Sequence, residues 1–270
     1  MIDTLQPKPP QRCLECVKLS IRRGGRLVLR DIELTIHAGE CLSLIGPNGS
    51  GKTTLLLAML GLLAPAAGSA RLDGTPMHRL SARRRGLFAA YVPQAVERLA
   101  GFCVRDVVAG GRYPHLAPLR PLSEADQRAV EHALAQTGLS ELADRPVDAI
   151  SGGERQKALI AAALAQDAEM MFLDEPTTAL DPAVQVELGG LLRRWHAAGR
   201  GLVVVSHDLH LPLALGGRVV ALRGGRVVAD GPAAEVLQPA QLAAVYEAEF
   251  ELARTAGGQE FAVPRWPRGN

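Results

Sequence analysis

Cys41-Leu42-Ser43-Leu44-Ile45 followed by Gly46-Pro47-Asn48-Gly49-Ser50-Gly51-Lys52-Thr53 decides the fold. The first five residues are short, mostly apolar and closed by glycine on both sides, the pattern of a buried strand. The next eight satisfy GxxxxGK[ST], and the helical pattern from Lys52 to Leu63, stopping before Pro65, completes a strand–loop–helix unit. Glycines let backbone N–H groups converge on phosphate oxygens, and the helix N-terminus adds the positive end of its dipole. Lys52 would reach the β- and γ-phosphates and the Thr53 hydroxyl would face Mg2+, with Thr54 next to them a further candidate nucleotide contact.

Two further buried strands are expected at Met170-Met171-Phe172-Leu173 and Leu202-Val203-Val204-Val205, with helices between and after them. One of these, Pro182 to Ala198, opens on proline and closes at Gly199. Strands alternating with helices imply a mostly parallel sheet covered on both faces, an α/β fold. Arg218–Arg223 and Arg226–Asp230 flank Gly224-Gly225 and should add an antiparallel β fringe. Between these parts, residues 123–138 and 151–166 read as helices, so about 96–166 form an inserted α-helical subdomain. The expected division is one domain over 1–270. Its nucleotide-binding core covers about 12–95 and 167–237, and 238–270 is a C-terminal helix and tail.

Composition narrows the partners. The 270 residues are 47% hydrophobic and 21% charged, which excludes disorder and a fibrous repeat. Thirty basic residues against 28 acidic ones give a net charge of +2, too little to argue for nucleic acid or a membrane surface. Four cysteines are too few and scattered for a secreted disulfide framework, and Cys13-Leu14-Glu15-Cys16 lacks the second pair that a zinc site needs. The longest apolar run, Leu55 to Ala64, is about half a membrane span, so membrane attachment would come through a partner.

Asp174 and Glu175 follow the second apolar strand directly. Alone, such a pair marks a solvated strand end. Beside a phosphate loop, at the C-terminal edge where open parallel sheets keep their sites, Asp174 suits Mg2+ and Glu175 could orient and deprotonate an attacking water. Ser151-Gly152-Gly153-Glu154 is a capping box ahead of an apolar run, hence a second helix start with bare glycine amides. One phosphate loop already serves the nucleotide within a chain, so this second anion site suggests a nucleotide held by a neighbouring copy.

Over residues 12–250 the chain resembles the nucleotide-binding subunits of ABC transporters, P-loop NTPases with a RecA-like core. Gly46–Thr53 matches Walker A, Gln94 in Tyr91-Val92-Pro93-Gln94 the Q-loop, and Ile150-Ser151-Gly152-Gly153-Glu154 the family signature. Asp174 and Glu175 match Walker B and the catalytic glutamate, Ala179-Leu180-Asp181 the D-loop, and His207 in Ser206-His207-Asp208 the switch histidine. The resemblance implies a head-to-tail homodimer closing on two Mg·ATP, each held between one copy's Walker A and the other's Ser151–Gly153 and Asp181. It gives Gln94 a place on the metal together with Thr53 and Asp174, has Gln94 and His207 sense the γ-phosphate, and leaves the water to Glu175. Two departures stand out. Glu154 replaces the usual glutamine, and Arg23 in Ile21-Arg22-Arg23-Gly24-Gly25 stands where the family's adenine-stacking aromatic would fall. A guanidinium can lie flat on a base, so Arg23 is the expected adenine contact.

The same resemblance implies two copies of a separate transmembrane permease, a probable substrate-binding protein, and a place on the cytoplasmic face of the inner membrane. Gly111-Arg112-Tyr113-Pro114-His115 is similar to a segment of the importers of ferric siderophores, haem and cobalamin, and leans the reading toward metal-chelate import. A proline-stiffened loop is the alternative for that segment. For the whole chain the alternatives are another transporter, including an exporter, a non-catalytic interaction subunit, or a soluble ABC protein acting on ribosomes or DNA. The soluble class generally carries two such domains or long coiled-coil insertions.

Overall fold

The computed structural model describes residues 12–94, 101–117, 120–178, 180–255, 257–258 and 260–266. Two strands open the chain, β1 (Cys13–Arg23) and β2 (Arg26–His37), followed by β3 (Cys41–Ile45), α1 (Lys52–Met59), β4 (Ala67–Leu72), β5 (Thr75–Pro76), α2 (Ala82–Phe88) and β6 (Ala89–Val92). Among the described residues the next elements are all helical: α3 (Val104–Gly110), α4 (Glu124–Gln136) and α5 (Gly152–Gln166), with one 3-10 turn before α4 and two between α4 and α5. The chain continues through β7 (Met170–Asp174), α6 (Pro182–Ala197), β8 (Gly201–Val205), α7 (His210–Leu215), β9 (Arg218–Arg223) and β10 (Arg226–Pro232). It closes with α8 (Ala233–Val236), α9 (Pro239–Tyr246), β11 (Phe250–Arg254) and β12 (Glu260–Pro264).

The main sheet has the order β10-β9-β3-β8-β7-β6, parallel throughout except for the edge strand β10. Its central strands β3, β7 and β8 are buried at every position, and apolar except for Ser43 and the terminal Asp174, because both faces are covered. Met170 and Phe172 point into a core shared with α1 and the first strands, while Met171 and Leu173 point into the core under α3 to α6. The predicted hairpin at 218–230 is that edge, its turn made by Gly224 and Gly225, both at positive φ. A second antiparallel sheet, β2-β1-β4-β5, covers the other side of α1. It lies in a stretch where sequence periodicity defined no strand, since bulges interrupt the β1–β2 register and break strict alternation.

Helix α1 ends four residues before the predicted Leu63. The stop is Gly61, at φ 68°, rather than Pro65. Gly61 N–H donates to Ala58 O (3.0 Å) and Leu62 N–H to Leu57 O (2.9 Å), the paired bonds of a Schellman cap. Helices α4 and α5 start where their caps predicted. Ser123 accepts from Asp126 N and Ser151 from Glu154 N, each with the reciprocal carboxylate bond of a capping box. Beyond α9, in the stretch that reads only as a tail, β11 and β12 pair as a hairpin.

Candidate functional site

Four adjacent strands of the main sheet end at one edge, and each is followed by a segment singled out from the sequence. Gly46–Thr53 follows β3, His207 follows β8 by one residue beyond Ser206, Asp174 ends β7 with Glu175 next, and Gln94 lies two residues past β6. A cleft of about 560 Å3 at this edge is lined by Arg23, Val28, Asn48, Gly49, Gly51–Thr54, Gln94, Glu175 and His207.

The loop is shaped by glycine. Gly51 sits at φ 105°, and a Cβ there would come within 2.6 Å of Leu29 Cδ2 on the covering sheet. The Lys52 ammonium is buried, donating to Gly46 O (2.8 Å) and Pro47 O (3.1 Å), and burial lowers its pKa against the opposing pull of Glu175 and Asp174. Ser50 Oγ is buried in the same loop without a hydrogen-bond partner. A buried hydroxyl left without a partner in a glycine-rich loop suits an anion with several acceptor oxygens.

Thr53 Oγ1 donates to Asp174 Oδ1 at 2.9 Å. Asp174 is only 3% exposed, and burial raises its pKa, with the charge of Glu175 adding to the rise. A buried carboxylate beside a hydroxyl is an oxygen donor set that fits Mg2+, a hard cation that restores the charge balance lost on burial.

Glu175 occupies a left-handed backbone conformation at φ 50°, uncommon for a residue with a side chain. Its N–H donates to Val205 O (3.0 Å), tying it to the end of β8. Gln94 Nε2 (2.8 Å) and Thr178 Oγ1 (3.2 Å) donate to Oε2, and Oε1 pairs with His207 Nε2. The strained turn therefore aims one 8%-exposed carboxylate at three groups from three different loops. Thr178 was visible in the sequence as a hydroxyl three residues after Glu175, yet no spacing rule marks it. Val28 lies in the cleft with Arg23, and neither position bears an aromatic ring.

Ser151, Gly153 and Asp181 line another pocket, about 310 Å3, which shares no residue with the phosphate-loop cleft. Asp181 Oδ1 accepts Val184 N–H (3.0 Å) as N-cap of α6, and Gly152 presents open space where a Cβ would be. Glu154 accepts Ser151 N–H at 2.7 Å, which lowers its pKa, so the departure from glutamine still closes the capping box. The D-loop expectation includes Ala179, which lies outside the described residues.

The segment 111–115 is bonded into the fold. Arg112 is buried against Asp126 (2.8 Å) and donates to Ala165 O (2.7 Å) near the end of α5. His115 Nε2 meets Gln166 O at 2.8 Å. Among the described residues there is no cluster of histidine, cysteine and acid side chains able to hold a metal ion, and no helix is long and apolar enough to cross a membrane. Cys13 and Cys16 are free thiols, and burial pushes Cys16 up to about 12.

A glycine-rich strand–loop–helix unit at β3, a carboxylate pair at the end of β7 with β8 between the two strands, and a helical region between β6 and β7 are the arrangement of a nucleoside-triphosphate-hydrolysing cassette. The family model for ABC transporters matches residues 29–178, and the chain belongs to that family, as an ATP-binding ATPase subunit. It is 38% identical over 240 residues to the iron(3+)-hydroxamate import ATP-binding protein FhuC of Bacillus subtilis, covering 88% of this chain and 89% of that protein. It is 41% identical over 234 residues to the hemin import ATP-binding protein HmuV of Streptomyces coelicolor, covering 87% and 83%. A solved inward-facing metal-chelate type ABC transporter superposes with a TM-score of 0.82 at 25% identity, covering 94% of this chain and 98% of that one.

Proposed function

We propose that this chain hydrolyses ATP to power import of a metal chelate, a ferric siderophore, haem or cobalamin. Two copies would close on two Mg·ATP while docked on two permease subunits at the cytoplasmic face of the inner membrane, a separate binding protein supplying the cargo. The observation that carries the ATPase reading is the meeting of Gly46–Thr53, Gln94, Asp174, Glu175 and His207 at the ends of four adjacent strands. Metal-chelate import rests on the near full-length likeness to the two import subunits.

In this reading the loop amides and Lys52 hold the phosphates, the lysine exchanging its bonds to Gly46 O and Pro47 O for phosphate oxygens. Arg23 lies against the base from the cleft rim. Thr53, Asp174 and Gln94 hold Mg2+, which when bound neutralises developing phosphate charge. Glu175 orients the attacking water and takes its proton, and Gln94 and His207, already bonded to that carboxylate, register the γ-phosphate. Ser151, Gly153 and Asp181 line a separate pocket, and Gly152 stands between two of them, as expected if these residues complete the other copy's site. The core would be about 12–95 and 167–237, with 96–166 the subdomain that contacts the permease.

The test is to recover the tagged chain from membranes, identify the attached subunits and measure ATP hydrolysis with ferric siderophore, haem and cobalamin in turn. A co-purifying permease and stimulation by one chelate support the reading. Recovery only with ribosomes overturns it.

A further inference from the structure

Tyr246, the last residue of α9, reaches across 200 positions of sequence to the first residue of the phosphate loop: its hydroxyl accepts the Gly46 N–H at 3.1 Å. The bond falls where the β3 ladder stops, since pairing with β9 ends at Ile45 and the next amide would otherwise lack an acceptor. On its other side the Gly46 carbonyl accepts Lys52 Nζ at 2.8 Å. Gly46 itself sits at φ 137°, so tightly placed that a Cβ would stand 2.1 Å from Leu222 O. The phenol is held in turn. Arg223, at the end of β9, donates to Ala244 O (2.7 Å) and pairs with Glu247, clamping the last turn of α9, and the Phe250 ring lies 6.0 Å from that of Tyr246.

We propose that Tyr246 is a positioning residue for nucleotide binding, through which the C-terminal helix fixes the point where the chain leaves β3 and enters the phosphate loop. The proposal rests on the reading of Gly46–Thr53 as the phosphate site. Losing the acceptor leaves the Gly46 N–H unmet and loosens the positive-φ turn by which the chain enters the loop, so nucleotide affinity falls while the groups that act on water keep their places. One hydrogen bond of ordinary net strength corresponds to about a three- to tenfold change in an equilibrium constant.

The experiment is titration of the full chain with a fluorescent ATP analogue, together with steady-state hydrolysis, for the wild type, Tyr246→Phe and Lys52→Ala. The expected result is loss of binding in Lys52→Ala, and in Tyr246→Phe a rise of about three- to tenfold in Kd and KM that exceeds any change in kcat. If Lys52→Ala loses binding but Tyr246→Phe binds as tightly as wild type, or loses only kcat or thermal stability, the assignment to Tyr246 is wrong. If Lys52→Ala binds like wild type, the phosphate-site reading falls and Tyr246 falls with it.

Discussion

The carboxylate of Glu175 and the imidazole of His207 meet across the C-terminal ends of two adjacent parallel strands, β7 and β8, paired through Oε1 and Nε2. Backbone geometry makes the meeting possible. Glu175 leaves β7 in a left-handed conformation and donates its N–H to Val205 O, which turns its side chain along the sheet edge toward the loop after β8. The same carboxylate accepts Gln94 from the neighbouring loop, so the groups assigned to water activation and to phosphate sensing form one bonded unit.

Glu175→Gln keeps the shape of this unit and removes the carboxylate proposed as the base. ATP binding should stay near wild type while kcat drops by a factor on the order of 100 to 10,000, the usual range for a general base. Binding titration and steady-state hydrolysis measure the two separately, and near-normal turnover would remove Glu175 from the chemistry.

Gly152 stands at the first helical position of α5, without positive φ and with nothing near an added Cβ. Gly152→Asp should therefore leave the melting temperature unchanged or slightly raised, since an acid at a helix start is favoured by about 0.3–1 kcal/mol. The same carboxylate would repel a phosphate brought to that helix end by another copy. ATP-dependent association should be lost, and association equal to wild type would argue against Gly152 facing the second copy's nucleotide.

Asp126 accepts from Ser123 and pairs with buried Arg112, which together hold its pKa down at about 2. A depressed carboxylate pKa contributes stability that is complete above the unfolded value near 4 and is lost as pH falls through the folded one. Asp126→Asn should cost about 3 kcal/mol near neutral pH by leaving Arg112 buried and unpaired. In denaturant melts the gap to wild type should narrow as pH drops from about 5 toward 3. A gap constant with pH would mean that packing, not ionisation, sets the cost.

Much of the candidate site is readable in order along the chain, because the residues that the fold brings to one sheet edge lie in short local signals: a glycine loop between a strand and a helix, and two acids after an apolar run. What sequence did not reveal depends on contacts between distant segments. The β1–β2 sheet hides behind bulged alternation, Gly61 ends α1 through a local cap ahead of the more obvious Pro65, and Thr178 and Tyr246 join the site only through the fold. The segment 111–115 shows the converse. It stood out in sequence, and its arginine and histidine are engaged with Asp126 and the end of α5.

The central claim, that two copies enclose the nucleotide, is tested most directly by the mass of the Glu175→Gln chain in solution, by light scattering with and without ATP. The account predicts one subunit mass without nucleotide and twice that mass with it, the doubling abolished by Gly152→Asp. A mass that stays at one subunit at saturating ATP would contradict it.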